Sequence, residues 1–368
     1  VVIRSNVIQE NKSTNELQVD LKLLKDQLRK WISSGECQKS SGAFCAWREV
    51  SNGNLSFEYP EITGYALTYF SNIADLKAIE RKSAEKAASW LMERIKAGNL
   101  NGRIDKTDVV YSFDLAMIAT GLMSYGLKVE NKDYVNVGME IVDILINYIK
   151  KNGKLSSIIT LHEFGNSDKW SITGSAHLLK VIQCMLLAES LGMLQAGIYA
   201  EQLLKSTIKL VGTNGSFQTS PQNLTTYLHP HLYAIEGLWI WGTAKNDNST
   251  LFQAKESLEW VFSKQMPSGG FPEHVINNSC ESTLLKEQSD VTSQIIRLAN
   301  LLGSTFPGYR RSLERLNEIT YGDEEAKAIV YAPESEHIHQ NTWATFFAVQ
   351  AIESALEKTP SLAWQKLI

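Results

Sequence analysis

The sequence predicts an all-α chain closed as an α/α toroid, six helical hairpins arranged as an inner and an outer ring of helices. Three observations predict it. A glycine-centred turn recurs along the chain. The helices flanking it alternate between amphipathic and apolar all round. Strand patterns, with alternating residues bounded by turns, are scarce.

The turn first reads Ser41-Gly42-Ala43-Phe44, then Asn101-Gly102-Arg103-Ile104 and Asn152-Gly153-Lys154-Leu155. Asn214-Gly215-Ser216-Phe217 and Ser268-Gly269-Gly270-Phe271 follow. A sixth copy is expected near residue 328, where Ala328-Ile329-Val330-Tyr331 keeps only the apolar part. Glycine accepts the positive φ of a helix-ending turn, and the apolar residue after it can plug back into the core. A repeat of about 50–60 residues is one supersecondary unit that cannot bury its own face, so neighbours must stack.

Before each turn runs an amphipathic helix, expected over 16–33, 78–97, 132–150, 194–211, 250–266 and 307–319. Ala84, Ala87, Leu91 and Ile95, for example, form one apolar stripe. After each turn come polar or irregular residues and then a second helix, expected over 61–75, 111–126, 170–191, 229–243, 289–302 and 341–356. Phe113, Leu115, Met117, Ile118, Leu122 and Met123 spread over several faces of the second of these, which marks a buried helix. Outer amphipathic and inner buried helices, alternating six times, imply a closed ring. An open solenoid needs polar capping repeats, and its two-helix units are shorter, about 34–47 residues. The expected organisation is one toroidal domain over 1–368, with turns near 42, 102, 153, 215, 269 and 328.

Bulk properties agree and exclude several classes. Of 368 residues, 43% are hydrophobic, enough for a large core. Net charge is -4 with no basic stripe, which argues against nucleic acid as a main partner. The four cysteines, Cys37, Cys45, Cys184 and Cys280, form no CxxC pair and no disulfide framework. No apolar run reaches the roughly 20 residues of a membrane span, and no signal peptide opens the chain. A cytoplasmic location is expected. Nothing bears on oligomeric state.

The long loops all lead into inner-helix N-termini, so they share one rim. Unpaired N–H groups and positive dipole ends point there, which predicts a cavity favouring an anionic group. Acid–base side chains crowd the same segments. Tyr59, Glu61 and Tyr65 come from the first repeat, and Asp108, Tyr111 and Asp114 from the second. Lys169, Trp170 and His177 come from the third, and Tyr227, His229, His231, Tyr233 and Glu236 from the fourth. The fifth carries Glu273, His274, Asp290 and Gln294, and the sixth His337, His339, Asn341 and Trp343. All seven histidines fall in loop or inner-helix segments.

Glu61 and Asp114 are the candidate acid and base, because a carboxyl near an apolar core has a shifted pKa unless it is paired. Helix-dipole complementation competes for Glu61, and structural hydrogen bonding for Asp114. His229 or His339 is the candidate second proton carrier, since imidazole titrates near neutrality. Tyr65 and Tyr227 are candidate donors to substrate. Tyr59, Tyr111, Trp170, His177, His231, Asp290, His337, Asn341 and Trp343 are candidate binding residues. Asp290 can equally be a helix-start acid, and the tryptophans fit core packing before an aromatic platform. No cofactor is expected. Zinc is a minor alternative, because His229-x-His231 and His337-x-His339 have ligand spacing but no companion cysteine or HExxH helix.

Repeats with a Gly-x-Phe turn before an inner helix resemble the α/α-toroid enzymes: terpenoid cyclases, prenyltransferase β-subunits, N-acylglucosamine 2-epimerase and glucuronyl carbon-5 epimerase. The resemblance spans nearly the whole chain. More narrowly, Tyr59-Pro60-Glu61-Ile62-Thr63-Gly64-Tyr65 is similar to a motif of bacterial prenyltransferase-like proteins from polysaccharide and natural-product gene clusters. Tyr111-Ser112-Phe113-Asp114 and Asn341-Thr342-Trp343-Ala344-Thr345 are similar to the same group. The chain departs from the isoprenoid branch. It has no DxDD or DDxxD, and Cys280 has no Asp-x-Cys context. The expected function is therefore acid/base chemistry on a sugar or glycosylated metabolite, an anionic one by the rim argument: epimerisation, β-elimination or hydrolysis. Prenyl-diphosphate chemistry and a non-catalytic glycan- or peptide-binding toroid are the alternatives.

Overall fold

The computed structural model describes residues 14–102, 109–159, 170–220, 225–276, 286–357 and 361–368. The outer ring consists of α1 (Thr14–Ser33), α3 (Ala78–Lys96), α5 (Lys132–Asn152), α8 (Leu194–Thr207), α10 (Asn248–Phe262) and α12 (Tyr309–Glu318). The inner ring consists of α2 (Pro60–Asn72), α4 (Ser112–Lys128), a 3-10 turn (Ala176–Val181) running into α7 (Ile182–Ser190), α9 (Leu228–Lys245), α11 (Ser289–Leu301) and α13 (Thr342–Leu356). Each inner helix packs on the outer helix that follows it, and α13 packs on α1. Because α13 also touches both α11 and α2, the ring is closed. The chain is an α/α toroid, as its repeat predicts. No described helix is long and apolar enough to cross a membrane.

In four of the six repeats the recurring turn has a specific job: the backbone N–H of its apolar residue donates to the side chain of the fourth residue of the next inner helix. Phe44 donates to Thr63 Oγ1 at 3.0 Å, and Phe217 to His231 Nδ1 at 3.1 Å. Phe271 donates to Thr292 Oγ1 at 3.2 Å, and Ile329 to Thr345 Oγ1 at 3.1 Å. The sixth repeat thus keeps the latch without the glycine. At Gly42, Gly215 and Gly269 the glycine packs on the next outer helix, and a Cβ at Gly42 (φ 106°) would lie 2.3 Å from the Lys86 carbonyl oxygen.

Strands are scarce, as expected: the described residues form three two-stranded antiparallel ribbons, β1 (Trp47–Glu49) with β6 (His339–Asn341), β2 (Thr225–Tyr227) with β3 (His274–Ile276), and β4 (Thr320–Gly322) with β5 (Lys327–Ile329). At three residues each, they are too short to show alternation. One expectation needs correcting. The helix expected over 170–191 is broken: α6 (Trp170–Thr173) stops at Gly174, before the 3-10 turn. A Cβ at Gly174 would sit 2.6 Å from the Trp170 carbonyl oxygen and 2.8 Å from that of Thr219, so this kink needs glycine.

The six-residue spacing Pro60 to Tyr65 also acquires a structural reason at Gly64. There α2 and α4 cross backbone to backbone. A Cβ on Gly64 would lie 2.6 Å from Met117 O, and one on Gly121 would lie 2.3 Å from Gly64 O. Carbonyl groups inside buried helices cannot swing aside. Gly64→Ala is expected to destabilise the protein by about 1–3 kcal/mol through overpacking. Thermal melting checks this, and an unchanged midpoint contradicts so close a crossing.

Candidate functional site

Numbering from each helix start shows how the site is built. The second residue of all six inner helices lines one cavity: Glu61, Phe113, His177, His229, Asp290 and Trp343. Two residues on an α-helix are about 200° apart, so the fourth residue points away from the cavity, toward the turn latch. The sixth residue returns to the cavity axis one turn deeper and includes Tyr65, Tyr233, Gln294 and Phe347. The ninth lies deeper still and includes Glu236, Arg297 and Gln350. The site is thus a funnel of stacked layers.

The cavity holds about 230 Å³. Tyr59, Tyr111, Asp114, Trp170, Tyr233 and Tyr331 complete much of its wall. Trp170 sets its ring edge to face against His177 and His229, with centroids 5.1 and 5.9 Å away. Three carboxylates line the cavity, Glu61, Asp114 and Asp290, and all three side chains are buried. Three of the six inner helices, α2, α4 and α11, carry these acids in their first turns, which complements their positive ends.

His229 is fixed from the side of α11. Its Nδ1 lies 2.8 Å from Gln294 Oε1 and 3.3 Å from Asp290 Oδ2. Both neighbours are acceptors, so Nδ1 carries the proton and Nε2 is the ring's acceptor, without a partner among the described residues. Asp290 in turn accepts from the Val291 backbone N–H at 2.8 Å and from Trp343 Nε1 at 3.0 Å.

Below lies a charge cluster with no solvent exposure. Glu236 accepts from Lys180 Nζ at 2.6 Å, from Gln294 Nε2 at 3.1 Å and from Arg297 Nη2. Burial alone would raise the Glu236 carboxyl, but Lys180 and Arg297 overcome it and hold it below its usual range. Burial lowers Lys180 to about 8 against the pull of Glu236. Lys180 also faces the Tyr233 ring at 4.9 Å and the Tyr65 ring at 5.3 Å. Arg297 Nη1 donates to Gln350 Oε1, 2.8 Å away. Gln350 and Gln183 bond the backbone of 361–368, which lies across the far end of the ring.

Of the residues expected to form the site, Tyr59, Glu61, Tyr111, Asp114, Trp170, His177, His229, Asp290 and Trp343 come together at the cavity. Six do not line it. Tyr65 lies beneath it, its hydroxyl 2.8 Å from that of Tyr233. Tyr227 sits in β2 with its ring against His274. His231 is the turn latch of the fourth repeat, its Nε2–H donating to the Ser257 carbonyl at 3.2 Å. His339 packs its ring between Trp47 and Tyr331 in the β1–β6 ribbon, and His337 is exposed on the loop before it. Asn341 caps α13, accepting from the Ala344 N–H at 2.8 Å. His229 and His231 face opposite sides of α9, so that pair does not converge on one zinc ion. Asp108, Lys169 and Cys280 lie outside the described residues. Lys180, Arg297 and Tyr331 were missed. The signal for Arg297 was its place seven residues after Asp290, on the same helix face.

The buried histidines give stability a definite pH dependence. Burial, helped by neighbouring His229, lowers His177 to about 3. Burial lowers His231 to about 4 despite its bond to Ser257. Both stay neutral in the folded chain below the ordinary imidazole value of about 6.5. Between about pH 6.5 and pH 4 the unfolded chain therefore binds more protons. Stability falls as pH falls, by up to about 1.4 kcal/mol per unit for each histidine. His231→Asn keeps an acceptor for Phe217 and removes part of that slope. Melts from pH 7 to 4 check it, and equal slopes in both proteins contradict the assignment.

No protein-family model matches the sequence, and a search of curated proteins finds no match. Solved structures do match. The chain is similar to cellobiose 2-epimerase from Bacillus thermoamylovorans B4167, with a TM-score of 0.71 at 12% identity, covering 92% of this chain and 98% of that one. It is similar to unsaturated glucuronyl hydrolase from Bacillus sp. GL1, responsible for the degradation of glycosaminoglycan, with a TM-score of 0.67 at 13% identity, covering 95% and 98%. It is also similar to an alpha-amylase from Clostridium perfringens, with a TM-score of 0.65 at 13% identity, covering 90% and 97%. At such identities these matches establish the α/α-toroid fold.

Proposed function

We propose that the chain is a carbohydrate-active enzyme that moves protons at a single, neutral sugar ring. The observation that carries this reading is the ring of second residues, which gathers His229, Glu61 and Asp290 with Asp114 in one aromatic-walled cavity. A cavity of about 230 Å³ admits at least one sugar ring. Trp170 and Trp343 offer apolar faces to sugar C–H groups, and the carboxylates accept from hydroxyls. The three buried acids of the described wall repel an anion and so favour a neutral sugar. That two neighbours in fold are a cellobiose 2-epimerase and an unsaturated glucuronyl hydrolase supports the class.

In this reading His229 Nε2 takes a proton from the carbon beside a sugar carbonyl. Asp290 then stabilises the imidazolium. In this step one of Glu61 and Asp114 acts in its protonated form, its O–H donating to the carbonyl oxygen as charge develops there. His177 is too weak a base near neutrality to share the step, and serves as a neutral hydrogen-bonding wall. The second reading, glycoside hydrolysis, rests on the buried pair Glu61 and Asp114 as acid and base.

Incubation with neutral mono- and disaccharides in deuterated water, followed by NMR, separates the two. Proton abstraction puts deuterium on carbon in an epimerised product. Hydrolysis releases a new reducing end with no carbon-bound deuterium. No turnover of any neutral sugar contradicts the proposal.

A further inference from the structure

We infer that Gln294 sets the proton-carrying state of His229, and that the buried Glu236, Lys180 and Arg297 cluster serves to hold the Gln294 amide in one orientation. The inference rests on the reading of His229 as the proton carrier.

A primary amide has one acceptor end and one donor end. Whichever end faces an imidazole dictates which ring nitrogen is protonated. Here the choice is made from below. Glu236 is a carboxylate and only accepts, so the Gln294 NH₂ must be the end 3.1 Å from it. The amide oxygen is then the end 2.8 Å from His229 Nδ1. Nδ1 must donate, and Nε2 is left without a proton. Were the amide reversed, its NH₂ would meet Nδ1, and the proton would move to Nε2. His229 would then be useless as a base at that atom.

Glu236 can direct the amide only while ionised, and full burial opposes ionisation. Lys180 and Arg297 supply the compensating charge, and Gln350 holds Arg297 in place. Asp290 favours the same tautomer from a longer distance: its Oδ2 is 3.3 Å from Nδ1 and also accepts from Trp343, while Oδ1 accepts from Val291. It supplies negative charge for the imidazolium, and Gln294 supplies the short bond. Gln294 and Glu236 are accordingly positioning residues: they act through His229.

The test is nitrogen-15 NMR of the histidine side chains in the full chain, without sugar, at a pH where His229 is neutral. The expected spectrum shows His229 protonated at Nδ1 and bare at Nε2. Gln294→Met, similar in length but with neither amide group, should raise the Nε2-protonated population. If a sugar is turned over, the same variant should lower kcat by about tenfold or more with KM little changed, as expected for a wrong tautomer. A wild-type His229 protonated at Nε2 overturns the inference, whether or not the variant folds. So does a Gln294→Met spectrum identical to wild type. Absence of sugar turnover leaves the spectrum untouched and counts against the functional reading instead.

Discussion

Replacing His229 with Gln is expected to lower sugar turnover by about 10²–10⁴-fold, the range a positioned general base contributes. The ring nitrogens of His229 are the only imidazole atoms in the cavity that combine a fixed tautomer with an adjacent carboxylate among the described residues. Glu61→Gln and Asp114→Asn should each cost about 10²-fold, because each removes one carboxyl group from the wall while keeping its shape. His339→Gln is the contrasting control. His339 packs against Trp47 and Tyr331 outside the lining, so its loss should leave the rate close to wild type. Steady-state kinetics on the sugar found active in deuterated water makes the comparison. Full activity in His229→Gln removes it from the mechanism. A larger loss in His339→Gln than in His229→Gln places the chemistry on the wrong wall.

Glu236→Ala is expected to be the most damaging single change to stability. It leaves Lys180 and Arg297 buried without their common counter-charge, with neither side chain reaching solvent. Breaking a buried pair from one side costs about 3–5 kcal/mol. Unfolding entropy of about 2.1 cal/mol/K per residue gives about 0.8 kcal/mol per degree for a chain of this length. The melting midpoint should then fall by about 4–6 °C. Calorimetry reads this directly. An unaltered midpoint in Glu236→Ala contradicts the cluster itself.

The toroid was legible because its signal is collective. Six turns and twelve helical segments repeat one chemistry, and errors of two or three residues at an end do not disturb the pattern. The site was legible only to the level of the rim. Residue type marks His229 and His231 as equals, and two residues of helix separate them completely. His229 is second in its helix and faces the cavity, while His231 is fourth and latches Phe217. Knowing where α9 begins decides between them, and the proline between them does not announce it. His339 failed for a related reason. It lies in a three-residue ribbon with β1, on the far side of the chain in sequence, and no local pattern reveals that pairing. Lys180 and Arg297 escaped because a basic residue in an apolar helix reads as an exception until its partner is known. The expected anion preference weighed the helix dipoles without the first-turn acids of α2, α4 and α11.

The central claim, a cavity built to hold one neutral sugar, is tested most directly by the melting midpoint under three ligand panels. These are neutral mono- and disaccharides, uronic-acid oligosaccharides, and prenyl diphosphates with magnesium. A ligand at 100 times its Kd adds about 2.7 kcal/mol, or about 3–4 °C for a chain of this size. Neutral sugars are predicted to raise the midpoint by that amount, and Trp170→Ala to reduce the rise. A rise with prenyl diphosphates alone contradicts the account.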